Sequence, residues 1–259
     1  MNARPDSFPQ ALTRHLTFAA LCAIAAIAWL VLLRGESAMR SMAGEGPLDA
    51  LMRAMMRPAD ALPYFLAAAL MWLVMMIGMM TPAVVPMVMV LRGMDRGAHR
   101  ERDSLLFAGG YFLGWSLFAM AAALLQLWLH GRGLLAGQLL AVTAPHAGLI
   151  LLAAGIYQLM PWKEACLQHC RSPIGFFLQH WSPGAWGALG MGLRHGLYCV
   201  GCCWMLMLLM FVGGAMSVLA MAVLCAFILA ERLLPAGPWV VRVPGAVMIL
   251  WGAALLGGW

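Results

Sequence analysis

The stretch His195-Gly-Leu-Tyr-Cys199-Val-Gly-Cys202-Cys203-Trp204 is the densest run of metal-capable side chains in the 259 residues. On a helix, Met191, His195, Cys199, Cys202 and Met210 fall within an arc of about 100°, and Cys203 lies just beside it. One helix can therefore present imidazole, thiolate and thioether to a single surface. Thiolate and thioether suit Cu(I), zinc or an iron–sulfur cluster, and imidazole suits zinc and copper. A lone Cys such as Cys22 or Cys225 is read as small apolar filler instead.

A second cluster is Lys163-Glu-Ala-Cys166-Leu-Gln-His169-Cys170-Arg171. Cys166 and Cys170 are i and i+4, so one helical turn puts both sulfurs on one face. Lys163 and Arg171 beside them are expected to favour thiolate, and Pro173 to stop the helix at Ser172.

The third chemical feature is methionine. Of 23 Met, thirteen lie in the 56 residues from Met39 to Met94. Met71, Met75 and Met79 form an i, i+4, i+8 stripe, with Met76 and Met80 on a second. Met39, Met42, Met52, Met55 and Met56 are expected in a loop on the outer side. Thioether remains a ligand where thiols would oxidise, and it prefers soft Cu(I) to zinc; Met also serves as adaptable packing. His146, after Pro145, is expected at membrane depth as a ligand, a proton relay or a packing group. His99 and His130 are expected in solvent at span ends, and Glu231 with Arg232 as an interfacial anchor.

These groups need a scaffold, and the composition specifies its class. The chain is 64% hydrophobic and 10% charged, with a mean hydropathy of +0.86. Soluble domains are about half apolar and about a quarter charged. This excludes a soluble enzyme and a disordered chain. The formal charge of +6 comes almost wholly from Arg, with no basic stripe interleaved by aromatics, so nucleic acid is not an expected partner.

A hydrocarbon core of about 30 Å takes on the order of 20 helical residues. The first run is 16–33, read as an anchor because Arg34-Gly35-Glu36 is a poor signal-peptidase site. Charge-free gaps follow between Asp60 and Arg92, Asp103 and Arg132, and Arg132 and Lys163. The first of these is expected to kink or break at Thr81-Pro82 and Pro86. The 36 uncharged residues between Arg194 and Glu231 are too many for one crossing, with a turn expected at Gly213-Gly214. A last run follows Arg242. The expected fold is an all-α, polytopic transmembrane helix bundle of about seven spans, six if one segment is re-entrant. Residues 1–15 form a short cytoplasmic N-terminus and residues 16–259 one transmembrane domain. Seven spans put Arg4, Arg14, Arg92, Arg96, Arg100, Arg102, Lys163, Arg171, Arg194, Arg232 and Arg242 on the N-terminal side. Arg34, Arg40, Arg53, Arg57 and Arg132 fall on the other. Eleven cations against five favour an inner N-terminus, so five Cys and two His share the cytoplasmic side.

Over roughly residues 60–235 the chain resembles a prokaryotic family of integral membrane proteins, DUF2182, described as predicted metal-binding. The resemblance rests on Met71-Trp72, Met75-Met76, Met79-Met80 and Pro82; on Gly155, Tyr157 and Gln158; on Cys166-Leu167 and Cys170-Arg171-Ser172-Pro173; and on His195-Gly196, Tyr198-Cys199, Gly201-Cys202-Cys203-Trp204, Gly214 and Met216. Ser217 and Arg232 depart from the family pattern, which has Asn and Lys there. The resemblance implies only metal binding; the expected location is the inner membrane of a bacterium.

The expected function is Cu(I) handling: transport, chaperoning or delivery to a membrane-associated enzyme, with a metalloenzyme or metallochaperone as partner. The expected ligands are Cys199, Cys202, Cys203, His195, Cys166, Cys170, His169, Met71, Met75, Met79 and His146, and zinc is the alternative metal. The chain has no P-loop, so pumping by itself is not expected, and an enzyme is the less favoured class. The rivals are a thiol–disulfide oxidoreductase built on the same cysteines and an assembly subunit packing on partners through Gly109, Gly110 and Gly114.

Overall fold

The computed structural model describes residues 8–41, 44–94, 99–234 and 239–258; Arg4, Met42 and Arg96 lie outside them. The elements are α1 (Phe8–Ser41), α2 (Pro47–Ala54), α3 (Ala61–Met94), α4 (Arg100–Gly131), the strands β1 (Leu135–Ala136) and β2 (Ala141–Val142), α5 (Ala144–Gln158), α6 (Pro161–Arg171), α7 (Pro173–His180), α8 (Gly184–Leu208), α9 (Met210–Gly213), α10 (Val218–Leu233) and α11 (Trp239–Leu256). The fold is an all-α bundle. The two short strands pair antiparallel, Leu135 opposite Val142 and Ala136 opposite Ala141.

Five helical segments are long and apolar enough to cross a membrane: His15–Ser41, Ala61–Met94, Arg100–Gly131, Gly184–Gly213 and Trp239–Leu256. α5 and α10 stand where a fourth and a sixth span are expected, but have only 15 and 16 residues. At 1.5 Å per residue they reach about 22–24 Å, short of a full hydrocarbon core. Ile27, Leu66, Leu117, Leu219 and Leu250 project outward. Such an apolar exterior suits lipid and would aggregate in water.

Hydrogen bonds fix which loops share an end. At one end, Arg92 of α3 bonds Thr17 of α1 and lies 3.8 Å from Glu101 of α4. At the other, the Val218 amide donates to Glu36 at 3.0 Å, and the Met216 amide donates to the Leu139 carbonyl at 3.2 Å. The chain thus alternates ends, and α6 and α7 lie at the end that carries Arg92.

Proline placement differs from expectation in two places. α3 runs through Pro82 and Pro86 as one helix, so the expected break does not occur there. Pro145 does not disrupt a span; it occupies the first turn of α5, where its missing N–H costs nothing. The turn after α9 is as expected: Gly214 has φ 95°, open to glycine and strained for other residues.

Two glycine-lined seams set helix spacing. Between α4 and α8, Gly110 packs on the Leu189 and Leu193 backbone, Gly114 on Gly196 and Gly192 on Phe107, and a Cβ on Gly196 would stand 2.6 Å from the Tyr111 carbonyl oxygen. In α5 and α11, a Cβ on Gly155 would lie 2.6 Å from the Gly245 carbonyl oxygen. Gly110 and Gly114, expected to pack on a partner protein, are therefore used inside this chain, and only Gly109 faces open space. The close α4–α8 approach brings the α8 cysteines against Tyr111.

Candidate metal centre

Cys199, Cys202 and Cys203 are all buried on α8. Cys202 and Cys203 both donate to the Cys199 carbonyl, at 3.1 and 2.9 Å, which turns their sulfurs toward the preceding turn. The Tyr111 hydroxyl of α4 lies 2.9 Å from Cys199 Sγ and 3.4 Å from the Met80 carbonyl of α3. From α6, Cys170 Sγ comes within 4.0 Å of Cys202 Sγ. Cys166 Sγ covers Gly201, 3.0 Å from where a Cβ would stand. The glycine at 201 gives that thiol its place, and the Gly201 carbonyl accepts from Tyr157 of α5. The two cysteine clusters, 29 residues apart in the chain at Cys170 and Cys199, meet at the Cys170–Cys202 contact.

The group centres on a cation that the sequence reading assigns to the interface. Arg232 Nη2 of α10 donates to Cys199 Sγ at 2.8 Å and Cys202 Sγ at 3.4 Å, and lies 3.9 Å from Cys203 Sγ. Its neighbour Glu231 is also buried. Both Glu231 oxygens lie 2.8 Å from the ammonium of Lys163, and Gln158 bonds both partners. The Arg171 Nε donates to the Glu231 carbonyl at 2.8 Å. Lys163 and Arg171 therefore serve Glu231 and do not favour thiolate at Cys166 and Cys170. Burial pushes the Cys166 thiol up. Sulfur hydrogen bonds to Cys199 and Cys202, then burial, hold the Cys170 thiol well above the usual range.

His195 lies one turn before Cys199, fully buried between Tyr111, Phe107 and Phe176 at ring separations of 5.7, 6.1 and 5.1 Å. Neither ring nitrogen has a hydrogen-bond partner among the described residues. Such an orphaned imidazole keeps its donor capacity for a ligand. His169 does not join the sulfurs: its Nδ1 lies 2.9 Å from the Ala165 carbonyl and its ring stacks on Tyr198 at 4.2 Å.

Met71, Met75 and Met79 are buried along α3, as are Met76 and Met80. The stripe starts near the α2 end: Met71 Cε and Met52 Sδ both approach Gly35, 3.2 and 3.8 Å from its Cβ position. Further along α3, the Met79 and Met80 backbone carbonyls accept from Cys225 and from Tyr111, whose hydroxyl also meets Cys199. Met39, Met52 and Met55, expected in a loop on the outer side, lie in α1, in α2 and at the C-cap of α2 and are fully buried, because α2 folds back onto α1 and α3. His146 does not follow a break inside a span: it sits in the first turn of α5, bonded to Thr143 at 2.8 Å, at the opposite end from α6. His130 is not simply solvated either. Its Nδ1 meets the Tyr64 hydroxyl at 3.0 Å, in a chain running through Gln126 to Trp72.

Among the described residues, no three His, Cys, Asp or Glu groups take up a metal-holding arrangement as they stand. The guanidinium occupies the space between the sulfurs, so a metal here requires a small rearrangement around Arg232. The donor set itself, thiol-rich with one imidazole a turn away, fits a soft monovalent ion.

A family model described as PpoB2, copper chaperone, matches residues 69–255. That span runs from the start of the methionine stripe through α8 and α10 into α11. No curated protein and no solved structure matches the chain.

Proposed function

The chain belongs to this copper-chaperone family, and we propose that it holds Cu(I) within the inner membrane on sulfur ligands and hands it to a membrane-associated partner. One observation carries the reading: Cys170 of α6 meets the buried Cys199, Cys202 and Cys203 cluster of α8. Cu(I) is satisfied by two or three sulfurs, and thiolate, thioether and imidazole are all donors it accepts. Cys199 and Cys202 are the proposed principal ligands, with Cys170, Cys203, Cys166 or His195 supplying a third. Met71, Met75 and Met79 supply weaker thioether positions between this group and the α2 end, and His169, stacked on Tyr198, stands beside the group. With the N-terminus inside, the thiols lie toward the cytoplasm and the methionines toward the outer side.

Metal analysis of the detergent-purified full chain tests this, with Cys199→Ser and Cys202→Ser beside the wild type. Copper bound by the wild type and lost in both variants supports the reading. Bound zinc instead would replace the metal. A second reading draws on the 4.0 Å contact of Cys170 and Cys202, which suits thiol–disulfide exchange. Metal-free protein with a dithiol–disulfide couple that equilibrates with quinone would establish that activity and overturn copper handling.

A further inference from the structure

We infer that Arg232 is the fixed counter-charge of the copper site and biases it toward a monovalent ion, an inference that rests on the copper reading above. Arg232 is 9% exposed, and its Nη2 faces three sulfurs. Its Nε and Nη1 are buried with no hydrogen-bond partner among the described residues. The adjacent carboxylate, Glu231, is committed to Lys163, and among the described residues no carboxylate pairs with Arg232. A buried cation without an anion is strongly unfavourable. The negative charge that balances this guanidinium must come from sulfur.

The arithmetic then separates the metals. Two thiolates holding Cu(I) carry one net negative charge, and Arg232 brings the group to neutrality. Two thiolates holding a divalent ion are already neutral, so Arg232 leaves the group with a net positive charge in a low-dielectric interior. A divalent ion regains neutrality only by recruiting a third thiolate. Cys203 is the most distant of the three sulfurs from Nη2, at 3.9 Å, and makes the weakest contact with the guanidinium.

The test compares Cu(I) and Zn(II) affinities of the purified full chain by chelator competition, for wild type, Arg232→Lys and Arg232→Met, with Cys199→Ser alongside. Arg232→Lys keeps the charge and should retain Cu(I) binding within about tenfold. Arg232→Met should weaken Cu(I) binding by about 100-fold while leaving Zn(II) unchanged or tighter. Structural damage would lower both metals together, so a parallel loss, or no loss, overturns the inference. If Arg232→Met does not fold, Arg232→Gln, uncharged but still a donor, carries the same comparison. Wild-type Cu(I) affinity in Cys199→Ser would overturn the copper site itself, a result distinct from failure of the Arg232 role.

Discussion

Lys163 of α6 and Glu231 of α10 form a sealed ion pair, with the ammonium 2.8 Å from both carboxylate oxygens and the side chains 0% and 2% exposed. The pair joins the helix carrying Cys166 and Cys170 to the helix carrying Arg232. Removing one partner leaves a buried charge uncompensated. Lys163→Met is expected to lower stability by about 3–5 kcal/mol, and the double variant Lys163→Met/Glu231→Met to recover much of the loss. Thermal unfolding in detergent distinguishes this from a pair of no consequence, for which the single variant would melt with wild type.

The α4–α8 seam supplies a second prediction with a built-in control. A Cβ on Gly192 would run into the Phe107 carbonyl, whereas Gly109 has nothing within 4 Å. Gly192→Ala should destabilise by roughly 1–3 kcal/mol through forced helix separation, and Gly109→Ala should not. Equal melting of the two variants would contradict the packing described.

Cys170 and Cys202 should be the pair that crosslinks under mild oxidation. Their sulfurs are 4.0 Å apart, and a small rotamer change closes the remaining distance to a bond of about 2.05 Å. Peptide mapping should find Cys170–Cys202 and a free Cys22, with copper uptake lost until the bond is reduced. A dominant disulfide involving Cys22 would refute the arrangement.

Reactivity of Cys166 should depend on pH with a defined sign. Burial raises its thiol above the ordinary value, so less thiolate is present at neutral pH than on an unhindered cysteine. Alkylation by iodoacetamide should be slower than for a model thiol at pH 8 and should keep rising after the model thiol has levelled off. In a stability profile, the neutral buried thiol favours the folded state below the ordinary pKa, and that contribution fades as pH rises toward the elevated one. A rate that matches the model thiol at every pH would remove the burial argument.

The histidines separate by position. His195→Ala, at a buried site one turn from Cys199, should weaken copper binding at least tenfold if the imidazole is a third ligand. His146→Ala, at the far end of the bundle, should leave it unchanged. The reverse ranking, read by chelator competition, would place the metal elsewhere.

What the sequence reveals here follows from the range of each signal. Charge-free gaps delimit α3 and α4 because a membrane span is a local property of some twenty residues, whereas α8 starts at Gly184 and runs through Arg194. Cys-x-x-Cys-Cys and Cys166/Cys170 are legible for the same reason, since spacing on one helix fixes a face. Arg232 is not legible: Glu-Arg at a helix end reads as an interfacial anchor, and only α6, packed alongside, shows that Lys163 has claimed the carboxylate. His146 misleads because Pro145 marks a break inside a helix or a start at its first turn equally well. Met39, Met52 and Met55 look like loop residues until α2 is seen to fold back and cover them.

Consecutive residues on a helix diverge by about 100°, yet Glu231 and Arg232 each have a fixed destination, one on α6 and one among the α8 sulfurs. The two contacts fix the rotation of α10 about its own axis as two teeth fix a key in a lock. Any turn that lifts the guanidinium from the sulfurs also draws the carboxylate away from Lys163. A change felt at the thiols is thereby transmitted, without any intervening ligand, to the helix that carries Cys166 and Cys170.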